Sequence, residues 1–318
     1  MENKMKINNK IDLIDSEQLV KDWLDLQRLR EKSPELFGLK STGLKTLDEI
    51  LGGGIELGQL VYIGGKEKSG KTTLLTTIAT AWGEQKMNFI FLSGEMTNMQ
   101  TGNMLFSNFS SVDRTTIRSI KINALEWTSL TEAGKKISQL SGYWGYGFST
   151  ITDIDMVIDK VEEMTKKSVD GIIVDYIQLM EMERRSGNRV QEIEYFSRSL
   201  KRRSISRGKP MAVVVATQLN RTSIRSKLFD AQAFLGSGSL ERDMDIGMIV
   251  HDVETPLSVI ATKTNKKKIT IVGSRETATD SIEVYYDGAK ARMKDLFTGA
   301  AVDLYDKYWS NHAEDNNS

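Results

Sequence analysis

Gly65-Lys66-Glu67-Lys68-Ser69-Gly70-Lys71-Thr72 is the stretch on which the reading of this chain turns. It fits the pattern G-x-x-x-x-G-K-[ST] at every fixed position. Upstream, Gln59-Leu60-Val61-Tyr62-Ile63-Gly64 is a short apolar run of the kind that forms a buried strand. Downstream, Thr73 to Trp82 carries apolar residues at helical spacing. Strand, glycine-rich loop and helix together make a triphosphate cradle. The glycines let the backbone curl so that its N–H groups converge, and the new helix adds its positive N-terminal end. In such a cradle Gly65, Lys68, Ser69, Gly70, Lys71, Thr72 and Thr73 line a nucleotide. The Lys71 amine reaches the β- and γ-phosphates and the Thr72 hydroxyl ligates Mg²⁺.

Three further strand ends carry polar residues suited to that cradle. Gly171-Ile172-Ile173-Val174-Asp175 is an apolar strand closed by an aspartate, the Walker B pattern, and predicts that Asp175 holds Mg²⁺ through water. Such a run says little alone but much downstream of a full phosphate loop. Asn88 to Ser93 predicts a second parallel strand, next to that of the phosphate loop, ending in Gly94-Glu95-Met96. Glu95 there either polarises a water on the γ-phosphate or only complements a helix N-terminus. Met211 to Thr217 is another buried strand, and Gln218 at its end is suited to sense the γ-phosphate. The fold class is therefore α/β, a mostly parallel twisted sheet flanked by helices.

The chain has 318 residues, 39% of them apolar, enough for one large α/β domain with extensions. Forty-three basic residues balance 43 acidic ones, which argues against a globally basic nucleic-acid binder but allows local basic loops. The lack of cysteine excludes disulfides, thiolate metal sites and cysteine nucleophiles, and fits a reducing cytosol, so a cytoplasmic location is expected. Met1 to Lys10 is polar and lysine-rich, unlike a signal peptide, and no apolar run approaches about 18 residues, so no membrane helix is expected. His251 and His312 have no metal-site company.

The sequence divides into an N-terminal segment with an amphipathic helix (1–40), an ATPase-sized domain (41–298) and a polar tail (299–318). The first helix starts at an Asp15 cap with Gln18 three residues on, carries Leu19, Val20, Trp23 and Leu26 on one face, and stops at Pro34. That stripe packs on its own domain, the commoner fate, or on a neighbouring subunit. A short helix between Ser41 and Ile55 should lie under the nucleotide site. Residues 97–140 predict helices, with Met96, Met99 and Met104 as core filler. Gly142 to Phe148 predicts a loop and short strand that buries its rings, with base stacking as the alternative. Helices follow over 152–166 and from Val190 to about Arg207. Arg221, Arg225 and Lys227 fall in a polar loop. Gly236, Ser237 and Gly238 expose backbone N–H groups that grip nucleic-acid phosphates or stay solvated. Strands are expected at Ile246–His251 and Ser258–Lys263, a basic hairpin turn at Thr264–Lys268, and an edge strand at Ser281–Tyr286.

Several of these blocks in order resemble the C-terminal motor domain of DnaB-like replicative DNA helicases, a RecA-like fold, from about Thr42 to about Met293. They are Ser93-Gly94-Glu95-Met96, Val174-Asp175-Tyr176-Ile177-Gln178-Leu179-Met180, Asn188-Arg189-Val190-Gln191-Glu192, Gln218-Leu219-Asn220-Arg221, and Gly238-Ser239-Leu240-Glu241-Arg242-Asp243-Met244-Asp245. The resemblance implies a homo-hexameric ring that binds ATP between subunits, travels on single-stranded DNA and unwinds duplex. It makes Glu95 the catalytic base, with Lys71 and Gln218 beside it. It assigns DNA contacts to Gly236–Gly238 with Arg221 and Arg225. The first helix becomes a linker that docks on the next subunit, and primase or a helicase loader becomes a further partner.

Three departures accompany it. About forty residues precede the motor where the family has a collar domain, an arrangement that would suit a phage or plasmid replicon. Asn265 stands where the family has a trans-acting arginine, leaving Lys263 and Lys266 as candidates for that role. Leu235-Gly236 stands where the family has arginine and glutamate. The rival readings are a RecA-, RadA- or KaiC-like DNA-binding ATPase and a non-unwinding loading factor.

Overall fold

The computed structural model describes residues 15–33, 38–182, 187–206, 209–226, 229–235, 237–253, 265–276 and 279–296. Met1–Lys10, Pro34, Lys227, Gly236, the expected strand Ser258–Lys263, His312 and the polar tail lie outside them. The chain divides into an N-terminal unit, Met1–Leu39, and a large unit, Lys40–Ser318.

In the first unit α1 spans Ser16–Lys32. The Asp15 carboxylate accepts the Gln18 backbone N–H at 2.8 Å, and Arg30 and Lys32 complement the other end. No residue of α1 is buried, and Trp23 is 58% exposed. Leu19, Val20 and Trp23 of the apolar stripe are each more than half exposed.

The large unit is built on a sheet that, among the described residues, has nine strands in the order β3-β2-β4-β5-β1-β6-β7-β8-β9. The first six in that order, β3 (Gly142–Tyr146), β2 (Phe89–Ser93), β4 (Gly171–Asp175), β5 (Ala212–Gln218), β1 (Leu60–Gly65) and β6 (Ile246–Asp252), pair in parallel. The last three, β7 (Lys266–Ser274), β8 (Ser281–Asp287) and β9 (Arg292–Asp295), continue it antiparallel.

Side chains alternate across the sheet, so successive residues of one strand feed two different cores. Val61 and Ile63 of β1 and Val214 of β5 join α2 (Lys45–Ile50) and α3 (Lys71–Glu84) through Leu47, Leu74, Ile78 and Trp82. Leu60, Tyr62, Val213 and Val215 face the other way. There they meet Ile154 and Ile158 of α7 (Ile151–Thr165) and Phe196 and Leu200 of α8 (Arg189–Ser206). Full burial of each such side chain contributes about 1.5–3 kcal/mol. Helices α4 (Asn98–Ser110), α5 (Arg114–Ser119) and α6 (Ala124–Ile137) connect β2 to β3. Capping boxes at Thr97–Gln100, Asn123–Glu126 and Thr150–Asp153 start α4, α6 and α7.

Four expectations need correction. β2 is not beside β1, because β4 and β5 lie between them. The helical crossovers carry the chain outward from β1 first and return later strands to the gap. The basic stretch Lys266–Lys268 is no turn but the start of β7, bonded on both sides. Ser281–Tyr286 is therefore an inner strand, with β9 at the edge. Met99 is 71% exposed, whereas Met104 is buried. In β3, Trp144 packs its ring 5.9 Å from that of Phe89 and 5.0 Å from that of Phe91, so this ring is used by the core rather than offered to bases.

Candidate active site

The polar residues singled out above gather at one edge of the sheet. β2, β4, β5 and β1 are neighbours in that order, and their carboxyl ends are Ser93, Asp175, Gln218 and Gly65. Gly65 is in register with Gln218, and Ser93 with Asp175. In open α/β sheets ligands bind in the crevice beyond these ends.

The loop from Gly65 to Gly70 is shaped by backbone demands. Gly70 has φ of 109°, a conformation that requires glycine, and a Cβ on it would press on the Tyr286 ring at 3.1 Å. A Cβ on Gly65 would lie 2.3 Å from Ser69 Oγ, the mark of a loop wound tightly on itself. Ser69 is buried and its Oγ has no hydrogen-bond partner. Lys71 Nζ donates to the carbonyls of Gly65 at 2.8 Å and Lys66 at 3.0 Å, so its charge sits over the loop. Burial pulls the Lys71 amine below its ordinary range, against the opposing pull of Asp175, Glu95 and Glu67.

Thr72 Oγ1 donates to Asp175 Oδ2 at 3.0 Å. Burial pushes the Asp175 carboxyl up to about 6, with the Thr72 hydroxyl opposing, the Glu95 charge adding, and Lys71 opposing. A hydroxyl and a carboxylate oxygen in contact are a hard-oxygen pair that fits Mg²⁺, which keeps several of its waters and needs few protein ligands. Accordingly, no cluster of three His, Cys, Asp or Glu side chains suited to a metal occurs among the described residues. Glu95 lies two residues past the end of β2 and is exposed. Its turn is held from both sides: Gly94 N–H donates to the Asp175 carbonyl at 2.7 Å, and Met96 N–H to Ser93 Oγ at 2.9 Å.

Three residues at this edge do not stand out from the sequence. Asp252, at the end of β6, accepts from both Lys66 of the loop and Lys267 of β7. Burial acts to raise its carboxyl, but the hydrogen bonds from Lys267 and Lys66 outweigh that and hold it below the ordinary range. Lys267 is 5.0 Å from the centre of the Tyr286 ring. No local pattern marks these residues, because each depends on a partner brought in by the antiparallel strands.

The remaining candidates lie on other elements. Arg221 and Arg225 are exposed on α9 (Arg221–Ser226), one turn apart, so the polar loop expected there is a short helix. Ser237 and Gly238 open α10 (Ser237–Asp243) rather than sitting in an open loop, while Gly236 lies outside the described residues. Lys266 is half exposed and pairs with Glu283 at 3.4 Å, and Lys263 lies outside the described residues.

The family model of the DnaB-like helicase C terminal domain matches residues 38–295. The chain belongs to the DnaB-like helicase family. Among its relatives are two proteins named replicative DNA helicase DnaB. That of Leifsonia xyli is 25% identical over 276 residues, covering 86% of this chain and 59% of the relative. That of Rickettsia bellii is 28% identical over 250 residues, covering 73% and 48%. The chain thus spans about half the length of the curated relatives it matches. Two solved structures share the fold, each with a TM-score of 0.75. One is an isolated ATPase domain, 19% identical, which covers 90% of this chain and is itself covered in full. The other is a DnaB-like replicative helicase studied with primase, 18% identical, which covers 91% of this chain and is covered over 68% of its own length. These matches give the chain the fold of DnaB-like ATPase domains and do not favour the RecA-, RadA- or KaiC-like rival.

Proposed function

We propose that this chain is the motor of an ATP-dependent replicative DNA helicase, a homo-hexameric ring that moves along single-stranded DNA and unwinds duplex. The observation that carries this reading is the convergence of Lys71, Thr72, Asp175, Glu95 and Gln218 at the carboxyl ends of neighbouring strands in a DnaB-family chain. ATP is bound by the loop Gly65–Thr73, with Lys68, Ser69 and Gly70 turning their N–H groups to the phosphates. Thr72 and Asp175 would hold Mg²⁺, Asp175 through water, and the bound ion would supply positive charge to offset that of the triphosphate. Glu95 takes a proton from the attacking water. The water oxygen bonds to the γ-phosphorus, the bond to the bridging oxygen breaks, and ADP and phosphate leave. Lys71 steadies the charge that develops, and Gln218 senses the γ-phosphate.

A ring places one subunit's Lys263 or Lys266 at the next subunit's nucleotide in place of the family's arginine. Assembly is supported by two apolar surfaces whose members are more than half exposed: Leu19, Val20 and Trp23 on α1, and Met99, Ile120, Leu125 and Trp127 around α4–α6. DNA is held by Arg221, Arg225 and the backbone of Gly236, Ser237 and Gly238. The functional division is a linker segment over 1–40, the motor over 41–298 and a tail over 299–318. Primase or a loader is a further partner, by analogy with the relative studied with primase, and the work is done in the cytoplasm, that of a bacterial host if the chain is phage- or plasmid-encoded.

The test is ATP hydrolysis by the purified chain with and without single-stranded DNA, run beside unwinding of a forked duplex. Turnover that rises with the single strand and accompanies unwinding is expected. Turnover without unwinding would move the chain to the loading-factor reading, which Asn265 in place of arginine permits.

A further inference from the structure

β4 and β5 run side by side in register from Gly171 opposite Ala212 to Val174 opposite Val215, and there the ladder ends. Past that point the chain from β4 enters a tight turn, Ile177–Leu179, while β5 continues through Thr217 to Gln218 beside β1. One side chain bridges the place where the strands part. Gln178 Nε2 donates to Thr217 Oγ1 at 2.7 Å, and Gln178 Oε1 accepts the Gln218 backbone N–H at 3.3 Å. A backbone N–H can only donate, so this orientation of the amide follows from chemistry. Thr217 is fully buried, where a broken hydrogen bond is not replaced by water.

Gln178 is itself held from behind. Arg189 Nη2 donates to the Gln178 carbonyl at 2.6 Å and Arg189 Nη1 to the Met180 carbonyl at 2.9 Å. Glu192 fixes the guanidinium at 2.7 Å. On the far side of Gln218, its carbonyl accepts the Leu235 N–H at 2.9 Å, and Leu219 forms a β-bridge with Phe234. The Phe234 ring is fully buried against Gly64, where an added Cβ would come within 2.6 Å of it. The main chain around Gln218 is therefore tied on one side to the turn that follows Asp175. On the other it is tied to the stem of the 235–238 stretch.

We infer that Gln178 is a positioning residue that couples nucleotide hydrolysis to DNA at the 235–238 stretch, by fixing Thr217 and the Gln218 main chain against the turn after Asp175. It touches neither nucleotide nor DNA. It keeps Gln218 at one place relative to Asp175, so that a shift of the stem at Leu235 is felt at the nucleotide instead of being lost in slack between two diverging strands. The inference rests on the helicase reading above.

The experiment compares wild type with Gln178→Leu, Gln178→Glu, Thr217→Val and the double variant Gln178→Leu/Thr217→Val. Steady-state ATP hydrolysis is measured with and without oligo-dT, with thermal melts alongside. Gln178→Leu should keep its DNA-free kcat and KM within about 2-fold. It should lose stimulation by oligo-dT by about 5-fold or more. Gln178→Glu should retain stimulation, because a carboxylate still accepts the Gln218 N–H and the Thr217 hydroxyl can turn to donate. Thr217→Val should lose part of the stimulation, and the double variant no more than Gln178→Leu alone, as expected of two ends of one bond. If Gln178→Leu is too unstable to assay, Thr217→Val with unchanged stimulation overturns the inference by itself. So would stimulated and DNA-free rates that fall together in Gln178→Leu, with no rescue by glutamate. A wild type that oligo-dT does not stimulate would instead overturn the helicase reading, and this inference with it.

Discussion

β1, β4 and β5 are buried from their first residue almost to their last, whereas β7 alternates between buried and more exposed positions over most of its length. The difference follows from what covers them. These three strands have helices on both faces, so nearly every position before the polar carboxyl end is apolar and the strands appear in sequence as near-unbroken runs. The antiparallel strands have one freer face and carry lysines there. The first region supplies the carboxyl edge at which nucleotide chemistry is placed. The second buttresses it, through Tyr286 against Gly70 and through Lys267, which shares Asp252 of the parallel strand β6 with Lys66. Substitutions in the two regions should therefore fail differently.

The largest effect belongs to the parallel half. Lys71→Met should cut turnover by about 10²–10³, with the melting curve close to wild type, measured by phosphate release and thermal melts. A comparable loss of stability would break the distinction between the halves.

Asp175→Asn has a smaller effect that is read in stability, as a gain. With its carboxyl pushed up to about 6 by burial, the folded chain holds the proton more tightly than the unfolded chain, whose reference value is 3.8. The cost of the buried charge is absent while the acid is protonated in both states. It grows as pH rises from the lower value and is complete above the higher one. In metal-free buffer at about pH 7.5 the asparagine variant should be more stable by on the order of 1–3 kcal/mol. Near pH 4 the difference should fade. Magnesium-dependent turnover should be lost throughout.

The smallest effect lies in the antiparallel half. Ile269, fully buried in β7, should cost about 0.5–1.5 kcal/mol on truncation to valine, with turnover unchanged within error. A selective loss of turnover there would show that the buttress takes part in the chemistry.

The same difference explains what was legible in the sequence. Apolar runs closed by Ser93, Asp175 and Gln218 announce parallel strands and their polar ends, and a glycine-rich loop of fixed spacing marks the strand-to-helix turn between β1 and α3. The order of the strands is not written locally, since crossover length decides which neighbours β1 receives, and the place of β2 is lost for that reason. Lys266-Lys267-Lys268 has the composition of a solvated turn. Lys267 is nonetheless buried, because Asp252, fifteen residues earlier, neutralises it and the Tyr286 ring covers it. Polar residues dominate around Arg221 and Arg225 and point to a loop, yet the six residues from Arg221 to Ser226 form a helix. The link from Gln178 to Thr217 and Gln218 joins positions 39 and 40 residues apart. Nothing in the spacing of glutamines predicts it.

The central claim is that the carboxyl edge of the parallel half hydrolyses ATP with Glu95 as the base. Single-turnover hydrolysis by wild type and Glu95→Gln, with nucleotide affinity measured on the same preparations, tests it most directly. Affinity within about 3-fold of wild type and chemistry slower by about 10²–10⁴ is the predicted result. A glutamine variant that hydrolyses ATP at close to the wild-type rate would contradict the account, and would reduce Glu95 to a residue that merely follows a strand.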